Sequence, residues 1–410
     1  MRHRTHFRSA LVAPWCALAA LTSGLAGEPA AADTVAMAEA PLVSPSAAWT
    51  YFNGLTLTSS ARSADPLITR TAHALGDDVD RIYAFVHDTI EVAPRFGVQK
   101  GARGALIDRS GTAFDQAQLF AELVRAAQPT WAVTYQLGTI TLTHDQVLSW
   151  LGADNAAAVT AILANGGIPA DISSTGGTIT SVTMMHLWVA VAIPNASCSP
   201  CMFDPAFKSH IARSGALTPT TMDSATGFSA SSLMSTALST ATTSTSGAPQ
   251  VSHINRSGIR SSLQTYSSNL LTTVRNAYAN SELADVIGGR DIVAASSAPV
   301  RQSSLPYQAS LLTSFANDVP LALRTQITIT IGANLETHAW ALDEIYGDEL
   351  ALVPNVIEPL PSQGPATFHF ERNEQDLSAT EHNGVDVGLA VAINHPYAAN
   401  PAGGTPNGGY

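Results

Sequence analysis

Charge is what this 410-residue sequence has least of. Asp, Glu, Lys and Arg make up 13% of it, about half the usual share of about 25%. Lysine is almost missing: of 20 basic residues only Lys100 and Lys208 are lysines, and the rest are arginines. The formal net charge of -12 leaves no basic surface for nucleic acid. There are 3 cysteines, too few for a disulfide framework or a thiolate metal cluster. No helical H-E-x-x-H and no glycine-rich phosphate loop occurs, so neither a metal nor a cofactor is expected. No apolar run reaches the roughly 20 residues of a stable membrane span, which argues against stable membrane insertion.

What is present is apolar content, at 45%, enough for a sizeable core, and a length that suggests two domains. The N-terminus carries Arg2, Arg4 and Arg8, then "ALVAPWCALAAL", then small residues through "AGEPAAAD". That is the three-part order of a secretory signal, with cleavage expected near Ala32 and Pro14 inside the apolar run. Residues 1–32 are therefore expected to be a signal peptide and the protein to be secreted, or periplasmic at the cell envelope. Residues 33–66, small and polar, read as an extension.

Ordered elements begin at "DDVDRIYAFVHDTIEV", where Val79, Ile82, Phe85, Val86 and Ile90 recur at helical spacing. A loop is expected through Gly97, Gly101 and Gly104. The next helix, in "RSGTAFDQAQLFAELVRAA", sets Ala113, Ala117, Phe120 and Val124 on one stripe and Asp115, Gln118, Glu122 and Arg125 on the other. "WAVTYQLGTITLT" and "TITSVTMMHLWVAVAIP" alternate as strands, with helices expected around "HDQVLSWLG" and "NAAAVTAILANGG". Residues 211–254 are dominated by Ser, Thr and Ala and predict a flexible linker. A helix in "IRSSLQTYSSNLLTTVRNAYANSE" and strands in "ALRTQITITIG", "ALVPNVI", "ATFHFER" and "VGLAVAI" predict a second, helix plus β-rich domain over 255–396. Residues 397–410 read as a disordered tail.

Once the signal is removed, Cys198 and Cys201 are the remaining cysteines, and an oxidising compartment favours a disulfide between them. No second Cys or His pair stands at zinc-ligand spacing. The pair follows the strand that carries His186, which shares one strand face with Met184, Trp188, Ala190 and Ala192. A hairpin centred at Asn195 would set His186 directly opposite Asp204. A His beside an Asp is the base and orienter of a catalytic triad, in which the carboxylate fixes the imidazole and the imidazole activates a nucleophile.

These motifs resemble the transglutaminase-like superfamily, whose papain-like core sets a Cys at a helix N-terminus, a His on a strand and an Asp on the next. The resemblance runs through Gly111, Thr112, Ala113, Phe114 and Asp115, "LFAELVRAA", "HLWV" and "FDPAFK". "GVQKGARG", "GTITLTHDQVLSWLG" and "LPYQ" are similar to a subset found in bacterial secreted YD-repeat (RHS-related) proteins. It implies an α+β fold with helices packed on an antiparallel sheet over residues 67–210. It also implies a remnant triad of Ala113 at the cysteine position, His186 and Asp204, with Thr112, Asp115, Gln116 and Trp188 as cleft candidates.

At the nucleophile position the sequence departs from that pattern, because a methyl group cannot attack a carbonyl. Thr112 and Asp115 have the T-x-x-D form of a helix start, where capping is the ordinary role. The expectation is a pseudoenzyme: a non-catalytic binding or structural module that holds a peptide or protein surface. The alternative is an acyl-transfer enzyme or peptidase with an unusual nucleophile. A third reading is a β-rich adhesive or toxin-associated surface module.

Overall fold

The computed structural model describes residues 42–61, 63–153, 155–244, 250–295, 301–331, 336–354, 367–377, 382–383 and 389–394. The expected signal peptide and tail lie outside these. The architecture is α+β, built from helices and antiparallel sheets, and it divides into two compact units, residues 209–293 and the sequence on either side.

The larger unit begins with α1 (Pro45–Asn53), capped by the Ser44 hydroxyl accepting from the Ala47 amide, with Pro45 opening the first turn. α1 buries Ala48 and Phe52, and the Phe52 ring lies 5.6 Å from Phe96. The expected extension over 33–66 is thus corrected: its described part supplies core side chains. α2 (Pro66–Ala74) and α3 (Val79–Thr89) follow, each opened by a capping Asp. β1 (Glu91–Val92) then pairs in parallel with β2 (Ser110–Gly111).

Between these short strands lies α4 (Gly101–Asp108), where glycine content had predicted a loop. Gly101 opens the helix with a φ of 65°, a backbone conformation that favours glycine, and Gly104 serves packing. A Cβ at Gly104 would stand 2.6 Å from the Lys100 Cβ and 2.8 Å from the Tyr346 ring, closer than atoms approach, so only glycine lets the neighbours close in. α5 (Ala113–Ala127) crosses the centre of the unit. Asp115, Gln116, Gln118 and most of its apolar residues are buried together.

The main sheet is antiparallel. β3 (Val133–Thr143) leads through α6 (His144–Leu151) and α7 (Ala156–Asn165) to β4 (Ala170–Thr175), β5 (Thr178–Val191) and β6 (Cys201–Phe203). β5 is central: it pairs with β3 on one side, and β4 and then β6 share its other side. The outer neighbour of β3 comes from far along the sequence, the strand Gln308–Phe315.

Residues 209–293 hold β7 (His210–Arg213), α8 (Pro219–Thr226), α9 (Ala230–Leu238), β8 (Thr242–Ser244), β9 (Gln250–Ser252), α10 (Arg256–Ala277), α11 (Leu283–Ile287) and β10 (Gly289–Ile292). The expected 211–254 linker therefore contains two helices, because Thr218 and Ser229 cap them and supply the helix starts that composition alone conceals. α10 packs against α8 through Phe228 and Tyr266, whose rings lie 5.3 Å apart, and through the Asn269 amide donating to the Thr226 carbonyl. β7 pairs with β10, bringing the two ends of the unit side by side.

The polypeptide then returns to the larger unit. After the sheet strand β11 (Gln308–Phe315) come β12 (Gln326–Ile331), β13 (Glu336–Ala341), β14 (Leu350–Pro354), β15 (Thr367–Arg372), β16 (Gln375–Asp376), β17 (His382–Asn383) and β18 (Leu389–Asn394). β12 lies between β13 and β18, and β15 between β14 and the pair β16 and β17. Ile327, Ile329, Ile331, Ile345 and Phe370 form a small core of their own. The expected division at 210 and 255 is corrected: α10 belongs with residues 209–293, and β11 belongs to the sheet of β3. Sequence proximity cannot show a strand pairing made across an insertion.

Candidate functional site

His186 sits in the middle of β5, in register with Gly138 of β3. A Cβ on Gly138 would stand 2.3 Å from the Ser310 carbonyl oxygen and 2.6 Å from the Trp188 ring, so glycine here allows β11 and Trp188 to close over the strand. β6 pairs Val189 with Phe203 and Val191 with Cys201. The hairpin is thus centred at Ala196, one residue beyond the expected Asn195. That shift slides Asp204 by two positions, which preserves its face, and Asp204 reaches His186 diagonally from just past the strand end.

The contact is close: His186 Nε2 and Asp204 Oδ2 are 2.8 Å apart, and both side chains are buried. Asp204 Oδ1 accepts from the Ala206 and Phe207 amides at 3.1 and 3.3 Å. The Tyr307 hydroxyl donates to Oδ2 at 2.5 Å. Burial alone works to raise the Asp204 pKa. The charge and hydrogen bond of His186, with the donors Tyr307 and Ala206, outweigh it and hold the carboxyl below its ordinary range. The Tyr307 hydroxyl is pushed far up by burial and by the neighbouring carboxylate, so it stays a donor.

At the start of α5, Thr112 and Asp115 form a capping box. The Thr112 hydroxyl accepts from the Asp115 amide at 3.1 Å and donates to the Gly97 carbonyl at 2.8 Å, and Asp115 Oδ2 accepts from the Thr112 amide at 2.9 Å. Asp115 Oδ1 accepts from the Gln99, Lys100 and Gly101 amides at 2.9, 3.1 and 2.8 Å. Burial pushes the Asp115 pKa up while these four amides pull against it. The Gln116 side-chain amide donates to the Glu91 and Gly111 carbonyls at 3.2 and 3.0 Å, and its oxygen accepts from Lys208 Nζ at 2.9 Å. Lys208 Nζ, itself buried, also donates to the Val86 and Ile90 carbonyls at the end of α3.

The polar stripe of α5 therefore faces protein instead of water, a departure from the expected amphipathic helix. Its groups bond to neighbouring segments: Gln118 donates to Asp318 at 2.6 Å, and Arg125 donates to the Val133 and Ala316 carbonyls.

A small cleft, about 10 Å³ in volume, opens beside the first turn of α5. Ala113 and Phe114 line it from the helix, His186 from β5, Trp150 from α6 and Arg95 from the segment after β1; the rest of the lining is apolar. Ala113 and His186 are thus brought to one cleft, with Asp204 bonded to the imidazole nitrogen Nε2. Thr112, Asp115, Gln116 and Trp188 do not line it: three are engaged in internal hydrogen bonds, and Trp188 packs over Gly138.

Sequence reasoning missed Trp150 and Tyr307. Trp150 donates its indole N–H to the Ala206 carbonyl at 2.9 Å and meets the His186 ring edge-on at 6.1 Å. Its only signal is the "LSWLG" segment. Tyr307 lies in "LPYQ", but nothing local connects it to a carboxylate 103 residues earlier. Cys198 and Cys201 form a disulfide with Cα atoms 4.9 Å apart, closing the loop before β6. Among the described residues no group of His, Cys, Asp and Glu is arranged to hold a metal ion.

No protein family, curated protein or solved structure matches this sequence.

Proposed function

We propose that residues 67–210, completed by β11, are a transglutaminase-like, papain-like core with Ala113 at the nucleophile position. The protein is then a secreted, non-catalytic module that binds a peptide or protein surface outside the cytoplasm. The observation that carries this reading is the convergence on one cleft of a helix N-terminus and a His186–Asp204 pair, with alanine where the helix presents its first side chain. Helix start, base and orienter follow the order along the sequence that the resemblance implies, and their roles are those of triad chemistry.

The alternative of an unusual nucleophile has little support. The Thr112 hydroxyl already accepts one hydrogen bond and donates another, and the Asp115 carboxylate is held by four backbone amides. Neither can turn to a substrate without breaking the start of α5.

Purified protein incubated with a glutamine-donor peptide and a labelled amine is expected to incorporate no label. The Ala113→Cys variant is expected to carry a thiol whose alkylation pH profile falls below the usual value of about 8.5, because helix N-terminus and imidazole both favour thiolate. In that background His186→Ala should move the profile back up. Label incorporation by the unmodified protein, abolished by His186→Ala, would overturn the non-catalytic reading.

A further inference from the structure

We propose that α10 is a peripheral lipid-binding helix, whose arginine-edged apolar stripe lies on an anionic bilayer surface. The inference concerns residues 209–293 by themselves and is independent of the reading of the cleft.

This unit keeps most of its apolar side chains outside. Ten of the fifteen large apolar side chains exposed among the described residues belong to it, and neither hydrophobic core takes a residue from it. α9 and α10 bury no residue at all. Helices in proteins gain most of their stability by packing an apolar face, so a 22-residue helix with its apolar face open calls for a cover.

Around its axis α10 divides into three sides. On one, a Cβ at Gly258 would stand 2.7 Å from Thr236 of α9, Tyr266 meets Phe228, and Asn269 bonds to Thr226. Beside it runs a stripe of Ile259, Leu263, Leu270 and Val274, spaced by four, seven and four residues. Leu263 is 49% exposed, and Leu271, within a quarter turn of it, 48%. Arg256 and Arg260, both exposed, edge this stripe and with Ile259 and Leu263 line a shallow groove of about 800 Å³. Ser261, Gln264, Ser268 and Thr272 make the third side, polar and exposed.

Charge names the occupant. From Ser224 to Ser281 the sequence contains no Asp or Glu, whereas Arg256, Arg260 and Arg275 all fall on α10. This is a cationic face on a protein of net charge -12. Near the end of the unit, Asp285 and Asp291 are taken up by Arg213. A second copy would cover the stripe poorly, because α10 has no carboxylate and pairing in either direction sets arginine against arginine. An anionic lipid surface suits both features: leucines enter the boundary between headgroups and acyl chains, and guanidinium groups meet phosphates. With three arginines and a Ser/Thr side, α10 lies along the bilayer, and no single described helix is long and apolar enough to cross one.

The test is flotation of the intact protein with vesicles of pure phosphatidylcholine, and of phosphatidylcholine containing about one third phosphatidylglycerol. The protein should float with the anionic vesicles, stay behind with the neutral ones, and be largely released by about 1 M salt. Combining Arg256→Glu with Arg260→Glu should weaken the apparent affinity by about tenfold or more. Acidic residues near a helix start suit the dipole, so helicity by circular dichroism should be retained. Leu263→Ser with Leu271→Ser should also cost about tenfold. Ile107→Ser, which removes a side chain 52% exposed on α4, should change nothing. Equal flotation with neutral vesicles, wild-type flotation of the folded arginine variant, or an equal loss in Ile107→Ser would overturn the assignment. Absence of flotation would overturn it too: self-association lost in Leu263→Ser would then give the stripe to a second copy, and binding of polyglutamate would give it to an acidic protein. Each of these failures leaves the reading of the cleft untouched.

Discussion

Tyr307 is the residue on which the dyad most visibly depends. Its hydroxyl and His186 Nε2 share Asp204 Oδ2, so Tyr307→Phe removes one of two donors from a buried carboxylate oxygen. The expected cost is about 1.5–3 kcal/mol, the range for a hydrogen bond to a charged group. The pH response carries a definite sign. The Asp204 pKa is depressed in the folded protein, so its contribution is fully present above the unfolded value of about 3.9 and is lost as pH falls through the lower folded value. Without Tyr307 the folded pKa rises toward the unfolded one, and the acid-unfolding midpoint should move to higher pH. Asp115 works in the opposite sense, since burial raises its pKa, so the informative quantity is the difference between wild-type and Tyr307→Phe acid titrations followed by circular dichroism. Coincident midpoints would contradict the role given to Tyr307.

α5 shows how a helix can satisfy the helical pattern and still mislead. Its apolar stripe is evident in the sequence, and so are the Thr112 cap and the Asp115 that completes the capping box. The burial of its polar stripe is not, because a Gln or Asp on a helix is normally solvated and only neighbouring segments reveal otherwise. Asp115 illustrates the consequence. One carboxylate gathers the amides of Gln99, Lys100, Gly101 and Thr112, tying the turn before α4 to the start of α5. Asp115→Ala should therefore cost about 1–3 kcal/mol for each buried amide that it leaves without an acceptor, and should expose the 97–101 turn to limited proteolysis. Asp115→Asn, which retains one acceptor oxygen, should lose less. Equal stability of the two variants in urea would show that a neutral acceptor oxygen at this position satisfies none of the four amides, contradicting the smaller loss expected of Asp115→Asn.

At the scale of the molecule, the sheet is assembled from segments on both sides of residues 209–293. β11 pairs with β3, and Tyr307, just before it, reaches Asp204. The two ends of the inserted unit meet in the β7–β10 ladder, with the Val293 amide donating to the Ser209 carbonyl at 2.9 Å. Replacing residues 209–293 with a short glycine and serine connection should therefore leave the larger unit with a cooperative thermal transition. Truncation after residue 208 should not, since it strips β11 and Tyr307 from the sheet and the dyad. If both fragments melt cooperatively at similar temperatures, β11 is dispensable and the site is complete within the first 208 residues.

The sequence alone determined what depends on local chemistry. Alternation marked β5, helical spacing marked α3, α5 and α10, and strand parity placed His186 and Asp204 on one face even though the hairpin centre fell one residue away. Parity survives such a slip because a strand repeats every two residues. The alanine at position 113, at the start of α5, was equally plain, since identity is read directly. Tertiary structure decided the rest. It turned a glycine-rich segment into α4 through close packing at Gly104. It drew α1 into the core and moved α10 out of the β-rich segment. It exchanged Trp188 for Trp150 at the cleft and supplied Tyr307 from about a hundred residues away. These outcomes depend on pairings between distant segments, whose closure cost grows only slowly with the number of intervening residues. Spacing along the sequence therefore carries almost no information about which distant partner a strand or a carboxylate will find.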